Sequence, residues 1–339
     1  MDVEETFDIT RLVEPGKNKE ISFDYGSKWI ENPVPPRIIN FDSQGVRRFE
    51  GNVNFTLYGA AYWEGGQYSD VYSMPVEIFL PVIIVHGWTG EQFFASIPLR
   101  IYESLEDSLK DQGYTTDHSW YKTLWYDTYN SDRINAMEVA EWLDSMIKDA
   151  IESTYANKVN IVGHSLGGLV GRHYIANYGG GSICKLIMVG TPNAGSSDFY
   201  IRTSKDTLDD IWERLEQSPL ACWMIPTYPA LYDHIDWHYI PSPVTNCFTS
   251  VSMSESVTYY SIYNTAIDTP SGLTVKPYHG YIKVVDKKFD QADGDGIVPA
   301  HSSYMDGIEN RPKDIPGAKH AFLPNNKDIQ DTIFECLIE

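Results

Sequence analysis

The sequence predicts an α/β fold: a mostly parallel central sheet flanked by helices, with an insertion over the sheet and a β-rich extension ahead of it. Three observations predict it. Val82 to Val85 is apolar at every position, as a strand buried on both faces of a parallel sheet requires. Ala136, Val139, Ala140, Leu143, Met146, Ile147, Ala150 and Ile151 recur at helical spacing. Between and after these segments, strand-like runs alternate with helix-like ones, which implies right-handed crossovers and a doubly wound sheet.

Residues 1–78 show no helical periodicity. Clusters such as "ENPVPPR" and "EGGQ" punctuate them, and "NVNFTLYGAAYW" between reads as strand, so we assign them to a β-rich extension. The core is predicted over residues 79–195 and 256–339. After Val82–Val85, the stretch around Ile97 to Leu109 reads as helix and "KTLWYDTY" as strand. The long periodic helix follows, then the strand "KVNIV", a glycine-rich helix, and the strand "KLIMVG". From about Ser196 to Glu255 the alternation stops. Trp212, Trp223, Tyr228, Tyr232, Trp237, Tyr239 and Phe248 fall there with five prolines, and we read residues 196–255 as an insertion packed over the sheet, a lid or cap. Its aromatic residues serve either as an apolar cover or as the insertion's own small core. "SVTYYSIYNTAI" returns to strand character, and Ile329, Ile333 and Leu337 mark a closing helix.

The net charge is −21 over 339 residues. This excludes a phosphate-tracking nucleic-acid binder, which needs a basic face, and simple electrostatic docking on an anionic membrane. No stretch approaches the 18 apolar residues of a transmembrane span. The N-terminus "MDVEETFDIT" lacks the charged-then-apolar order of a signal peptide. The expectation is a secreted protein whose signal has been removed, with an intracellular protein as the alternative. Cys184, Cys222, Cys247 and Cys336 fit no zinc spacing; Cys222 and Cys247 flank one aromatic segment and either pair there or remain thiols.

One local rule is broken. Gly167, Gly168 and Gly171 stand where a helix continues after "KVNIV", each costing that helix about 1 kcal/mol relative to alanine. Ser165 stands at the joint, within Gly163-His164-Ser165-Leu166-Gly167. The pattern G-x-S-x-G between a strand and a helix places a serine hydroxyl on a sharp turn above the sheet, and flanking side chains would collide there. Ser165 is the candidate nucleophile, and it requires a base, an orienting acid and oxyanion donors.

For the acid, "ADGDGIVPAHSS" offers Asp295, which we favour because it directly precedes Gly-Ile-Val, then Asp293; Asp268 is the third candidate. A calcium loop is the competing reading of D-x-D-G, but Ile297, Pro299 and His301 fill its remaining ligand positions. For the base, "PGAKHAFLPNN" places His320 after the acid and before the last helix, with His301, His279 and His164 as rivals. The oxyanion donors expected are the backbone N–H groups of Leu166 and of Trp88, in the loop "VHGWTG" after the first core strand.

"VIIVHGWTG", "IVGHSLGGLVGRHYI", "VGTPNAGS" and "GDGIVPAHSSYMDG" followed by "GAKHAFLPNN" together resemble the serine-hydrolase branch of the α/β-hydrolase fold, and within it the lipases and esterases. "GTPNAGS" and "GDGIVP" are similar to segments of microbial triacylglycerol lipases and of the lecithin:cholesterol acyltransferase and GPI inositol-deacylase relatives. The resemblance covers roughly Pro81 to Glu339, poorly through the insertion. It implies Ser165 as nucleophile, Asp295 as acid, His320 as base, Trp88 and Leu166 as oxyanion donors, an acyl-ester or lipid substrate, and no cofactor or metal. Asp268 and Asp293 stay open as acids because the stretch between them departs from the pattern. The function implied is a serine carboxylic-ester hydrolase working through an acyl-enzyme. An acyltransferase with the same residues and a non-catalytic binding module on the same fold are the alternatives. Oligomeric state is left open.

Overall fold

The computed structural model describes residues 79–339 except 88–97, 113, 115–120, 125–135, 155, 204–206, 208–218, 243–245, 249–251 and 279–280. Ahead of residue 79 it describes only short strands. These are β1 (Ile39–Phe41) paired with β2 (Arg47–Phe49), β3 (Val53–Gly59) with β6 (Tyr72–Ile78), and β4 (Tyr62–Trp63) with β5 (Gln67–Tyr68), all antiparallel.

The central sheet contains β7 (Val82–Val85), β8 (Tyr121–Leu124), β9 (Val159–His164), β10 (Ile183–Val189), β12 (Thr258–Asn264) and β15 (Glu309–Lys313). Their order is β15-β12-β10-β9-β7-β8, and every pairing is parallel. Three helices make the crossovers in its first half: α1 (Pro98–Asp111) leads from β7 to β8, α2 (Ala136–Thr154) from β8 to β9, and α3 (Leu166–Tyr178) from β9 to β10. The chain therefore has the α/β-hydrolase fold.

Strand alternation divides the core in two. Ile83, Val85, Val159, Ile161, Leu186 and Met188 point to one face and pack against Val139, Leu143 and Ile147 of α2 and Leu166, Leu169 and Val170 of α3. Val82, Ile84, Val162, Ile187 and Val189 point to the other, against Tyr102, Leu105 and Leu109 of α1 and Ile329, Ile333 and Leu337 of the closing helix α5 (Lys327–Ile338). All four residues of β7 are fully buried, each contributing about 1.5–3 kcal/mol by removal from water. Lys185 on β10 ties this second layer to the end of α5, donating to the carbonyls of Cys336 at 2.8 Å and Leu337 at 3.0 Å. It satisfies acceptors that a helix C-terminus leaves open.

Beyond β10, α4 (Ser197–Thr203), a 3₁₀ turn at Pro219–Met224 and β11 (Leu231–Asp233) occupy the stretch read as an insertion. Cys222 and Cys247 are disulfide-bonded there, a closure across 25 residues that stabilises by about 3.5 kcal/mol in the chain-entropy picture. Its aromatic residues divide. Trp223 and Phe248 are buried in the same cluster as α2 and α3, while Trp237 and Tyr239 are exposed beside Ile235; Trp212 lies outside the described residues. The stretch between Asp268 and Asp293, which the sequence left unassigned, is a long antiparallel hairpin of β13 (Ile267–Tyr278) and β14 (Tyr281–Gly294), with β11 added parallel to β13.

Candidate active site

The strand β9 ends at His164 and the helix α3 begins at Leu166, leaving Ser165 alone at the turn. Its backbone is forced to φ 54°, ψ −125°, a left-handed conformation that costs a non-glycine residue of order 1–3 kcal/mol. The turn is held by Ser165 N–H donating to Val189 O at 2.8 Å and Gly168 N–H donating to Ser165 O at 3.1 Å. So sharp a turn presses α3 onto the end of β7. A Cβ on Gly167 would collide with the carbonyl oxygen of Val85 and stand 2.6 Å from that of His86; one on Gly87 would stand 2.7 Å from Ser165 Cβ.

That packing supplies a test of sign. Helix propensity alone makes Gly167→Ala stabilising by about 1 kcal/mol. The collision is with backbone, which cannot rotate away, so the expected result is destabilisation by about 2–3 kcal/mol, measured by urea unfolding.

Three predicted residues meet at the C-terminal end of the sheet. His320 Nε2 lies 2.8 Å from Ser165 Oγ, and His320 Nδ1 lies 2.7 Å from Asp295 Oδ2. All three are buried: Ser165 is 4% exposed, His320 6% and Asp295 1%. Asp295 follows the last residue of β14, and its other oxygen, Oδ1, accepts the N–H groups of Ile297 at 3.0 Å and Val298 at 2.7 Å. Three charge-assisted bonds fix the carboxylate in place. His320 N–H donates to Asp295 O at 2.9 Å, so backbone and ring are both tied to the same residue.

The rival residues lie elsewhere. Asp268 and Asp293 face each other across the β13–β14 ladder and are exposed. His301 is exposed, its ring packed edge-on against Tyr228, and His279 lies outside the described residues, as does Trp88. Leu166 is the first residue of α3, so its N–H is among the donors a helix leaves without an intrahelical acceptor.

Two neighbours flank this line: His164, a rival for the base that the structure places beside it rather than in it, and Asp198, which the sequence did not single out. His164 is buried with both ring nitrogens engaged: Nδ1 lies 2.7 Å from the Tyr102 hydroxyl and Nε2 lies 3.0 Å from the carbonyl oxygen of His320. Burial, reinforced by the nearby His320, holds its pKa well below the ordinary imidazole value. Asp198, at the start of α4, is buried and paired with Arg202. Burial raises its pKa against the Arg202 charge, and the charges of His320 and Asp295 also reach it. Among the described residues one trio with metal-ligand chemistry, Asp233, Asp236 and His238, brings its ligand atoms within 4.8 Å of one another. Asp236 and His238 are exposed and Asp233 already accepts the Ile235 N–H at 2.7 Å, so the trio is distinct from the serine line.

The chain is similar to known proteins over part of its length. The sequence model of the family described as palmitoyl protein thioesterase matches residues 81–228, from β7 through the elbow into the insertion. A triacylglycerol lipase of Pseudarthrobacter phenanthrenivorans is 32% identical over 124 residues, 35% of this chain and 35% of the lipase. A triacylglycerol lipase of Burkholderia plantarii is 32% identical over 124 residues, 35% of this chain and 32% of the lipase. The matched stretch thus spans about a third of either relative's length. Among solved structures, the mature form of the Bacillus licheniformis lipase BlEst2 superposes with a TM-score of 0.46 at 13% identity, covering 84% of this chain and 98% of that one. The chain thus combines the α/β-hydrolase fold with a partial sequence similarity to triacylglycerol lipases and to the palmitoyl protein thioesterase family.

Proposed function

We propose that the chain is a serine hydrolase of acyl esters, with Ser165 as nucleophile, His320 as general base and Asp295 as the orienting acid. One observation carries the reading: an unbroken hydrogen-bonded line from a strained serine through an imidazole to a carboxylate that is itself fixed by two backbone donors. Each position answers a chemical need. His320 Nε2 accepts the Ser165 proton as Oγ attacks the substrate carbonyl. Asp295 keeps the remaining ring proton on Nδ1 and stabilises the imidazolium that forms. The Leu166 N–H, joined by that of Trp88, receives the developing oxyanion. The proton on His320 then passes to the leaving alcohol or thiol as the tetrahedral intermediate collapses. Water, deprotonated by His320, releases the acid from the acyl-enzyme and restores Ser165.

The matching lipases are named for triacylglycerols and the matching family for palmitoylated protein thioesters; we read this chain as acting on oxygen esters of apolar acyl groups. The insertion supports that reading. Its buried Trp223 and Phe248 are continuous with the sheet's core, and its exposed Ile235, Trp237 and Tyr239 give it an apolar outer side. Burial of acyl chain beneath such a cover stabilises by about 25 cal/mol per Å². The test is a series of p-nitrophenyl esters from acetate to palmitate beside palmitoyl-coenzyme A. The expected result is hydrolysis with kcat/KM rising from acetate to medium and longer chains, and a lower value for the thioester. Turnover confined to acetate and butyrate would remove the apolar-cover role. Faster thioester than ester hydrolysis would move the chain to the thioesterases.

A further inference from the structure

The residue beside the nucleophile takes part in a second hydrogen-bonded line, behind the first. Gly87 N–H donates to the Tyr102 hydroxyl at 3.1 Å. That hydroxyl lies 2.7 Å from His164 Nδ1, and His164 Nε2 lies 3.0 Å from the His320 carbonyl oxygen. The two ends fix the outer bonds, and a neutral imidazole then fixes the middle one. An amide N–H only donates and a carbonyl oxygen only accepts. Tyr102 accepts from Gly87; buried His164, held neutral, donates from Nε2 to the His320 carbonyl, which leaves Nδ1 to accept the Tyr102 proton. Burial disfavours a second, charging proton on Nδ1. The chain of bonds joins four separate pieces of the site: the β7 end that leads into Trp88, α1, the elbow and the loop of the base.

We infer that His164, with Tyr102, is a positioning residue for the reaction proposed above, holding the backbone of His320 and the β7 end in register with Ser165. His320 is held at four points: its ring by Ser165 and Asp295, its N–H by the Asp295 carbonyl and its own carbonyl by His164. Without His164 that carbonyl keeps only the bond of its own 3₁₀ turn, and the imidazole is freer to tilt from Ser165. Misplacement of a catalytic group by about 1 Å costs on the order of 10²-fold in rate. The inference rests on the ester-hydrolase reading for its kinetic consequence, and on the hydrogen-bond geometry and burial of His164 for the proton arrangement.

The experiment compares wild type, His164→Asn, His164→Gln and Tyr102→Phe. Asparagine can place an acceptor at the Nδ1 position but loses the donor to His320; glutamine can reach the Nε2 position and keep that donor. Rates on p-nitrophenyl butyrate are expressed per site titrated by a fluorophosphonate, so only competent sites are counted. The expected result is a kcat lower by about 10² in His164→Asn at nearly unchanged KM. Recovery to within about tenfold is expected in His164→Gln, with a loss of about tenfold in Tyr102→Phe, the value of one hydrogen bond. Equal rates in the two His164 variants, or a change confined to KM, would overturn the inference. Nitrogen NMR of wild type is the second arm, which stands even where a variant fails to fold. His164 is expected as the Nε2–H tautomer, still uncharged where an ordinary imidazole, with its pKa of about 6.5, is half protonated; the Nδ1–H tautomer, or titration at that ordinary value, would overturn it. Absence of ester turnover in wild type would instead refute the ester-hydrolase reading, leaving the tautomer result to decide the network.

Discussion

Ser165→Ala is expected to lower kcat on a medium-chain p-nitrophenyl ester by about 10⁶ while KM and stability change little. The asymmetry follows from the site. The hydroxyl is a small part of the surface a substrate meets, so binding survives its loss. The chemistry does not survive, because among the described residues Ser165 Oγ is the nucleophile hydrogen-bonded to His320 Nε2. Removing the hydroxyl leaves the left-handed backbone at φ 54° in place, held by the same two backbone bonds. Far-UV circular dichroism and urea unfolding of the variant are therefore expected to match wild type within about 0.5 kcal/mol. A residual rate within tenfold of wild type would place the nucleophile elsewhere.

Asp295→Asn is expected to lower kcat by about 10⁴, and Asp293→Asn and Asp268→Asn to stay within twofold of wild type. An asparagine at 295 can present either oxygen or nitrogen to His320 Nδ1. Its oxygen, however, is already engaged by two strong backbone donors at Ile297 and Val298. The amide nitrogen is therefore turned toward the ring, which then carries its proton on Nε2 and cannot accept from Ser165. Asp268 and Asp293 oppose each other on an exposed rung of the hairpin, where loss of one of two facing like charges is neutral or mildly stabilising. Steady-state kinetics of the three variants separate the acids that the sequence left open. A loss of 10³ or more in Asp293→Asn, with Asp295→Asn active, would reverse the assignment.

The long-period features were legible in the sequence because one residue type decides them. The eight apolar positions spaced from Ala136 to Ile151 lie in a helix running Ala136–Thr154, and the run Val82–Val85 is a buried strand. The elbow was legible for the opposite reason: three glycines violate helix propensity, Gly167 against the end of β7, Gly168 against Thr191 and Gly171 against Leu186 of β10. The hairpin between Ile267 and Gly294 was not legible. Pro270 and Pro277 interrupt it, and proline within a run argues against a strand; here both stand in β13 of the small sheet it forms with β11 and β14. Asp295 could not be separated from Asp293 by sequence, since alternation along a strand depends on where the strand ends. β14 ends at Gly294, which leaves Asp293 on the ladder and turns Asp295 inward. The part played by His164 left no local signal. Its two partners stand 62 and 156 residues away, and within G-x-S-x-G its position accepts many residue types. Trp88 and His279 lie outside the described residues.

The acyl-enzyme is the species on which the proposal turns. Wild type is mixed with a p-nitrophenyl ester for milliseconds, quenched in acid and digested, and the peptide carrying Ser165 is weighed by mass spectrometry. The expected result is a mass increase equal to the acyl group less one hydrogen, located on Ser165, absent in Ser165→Ala and persisting longer in a His320→Ala variant acylated by an activated ester. Turnover of the ester without any acyl group on Ser165, or with the acyl group on another residue, would contradict the mechanism at its first step.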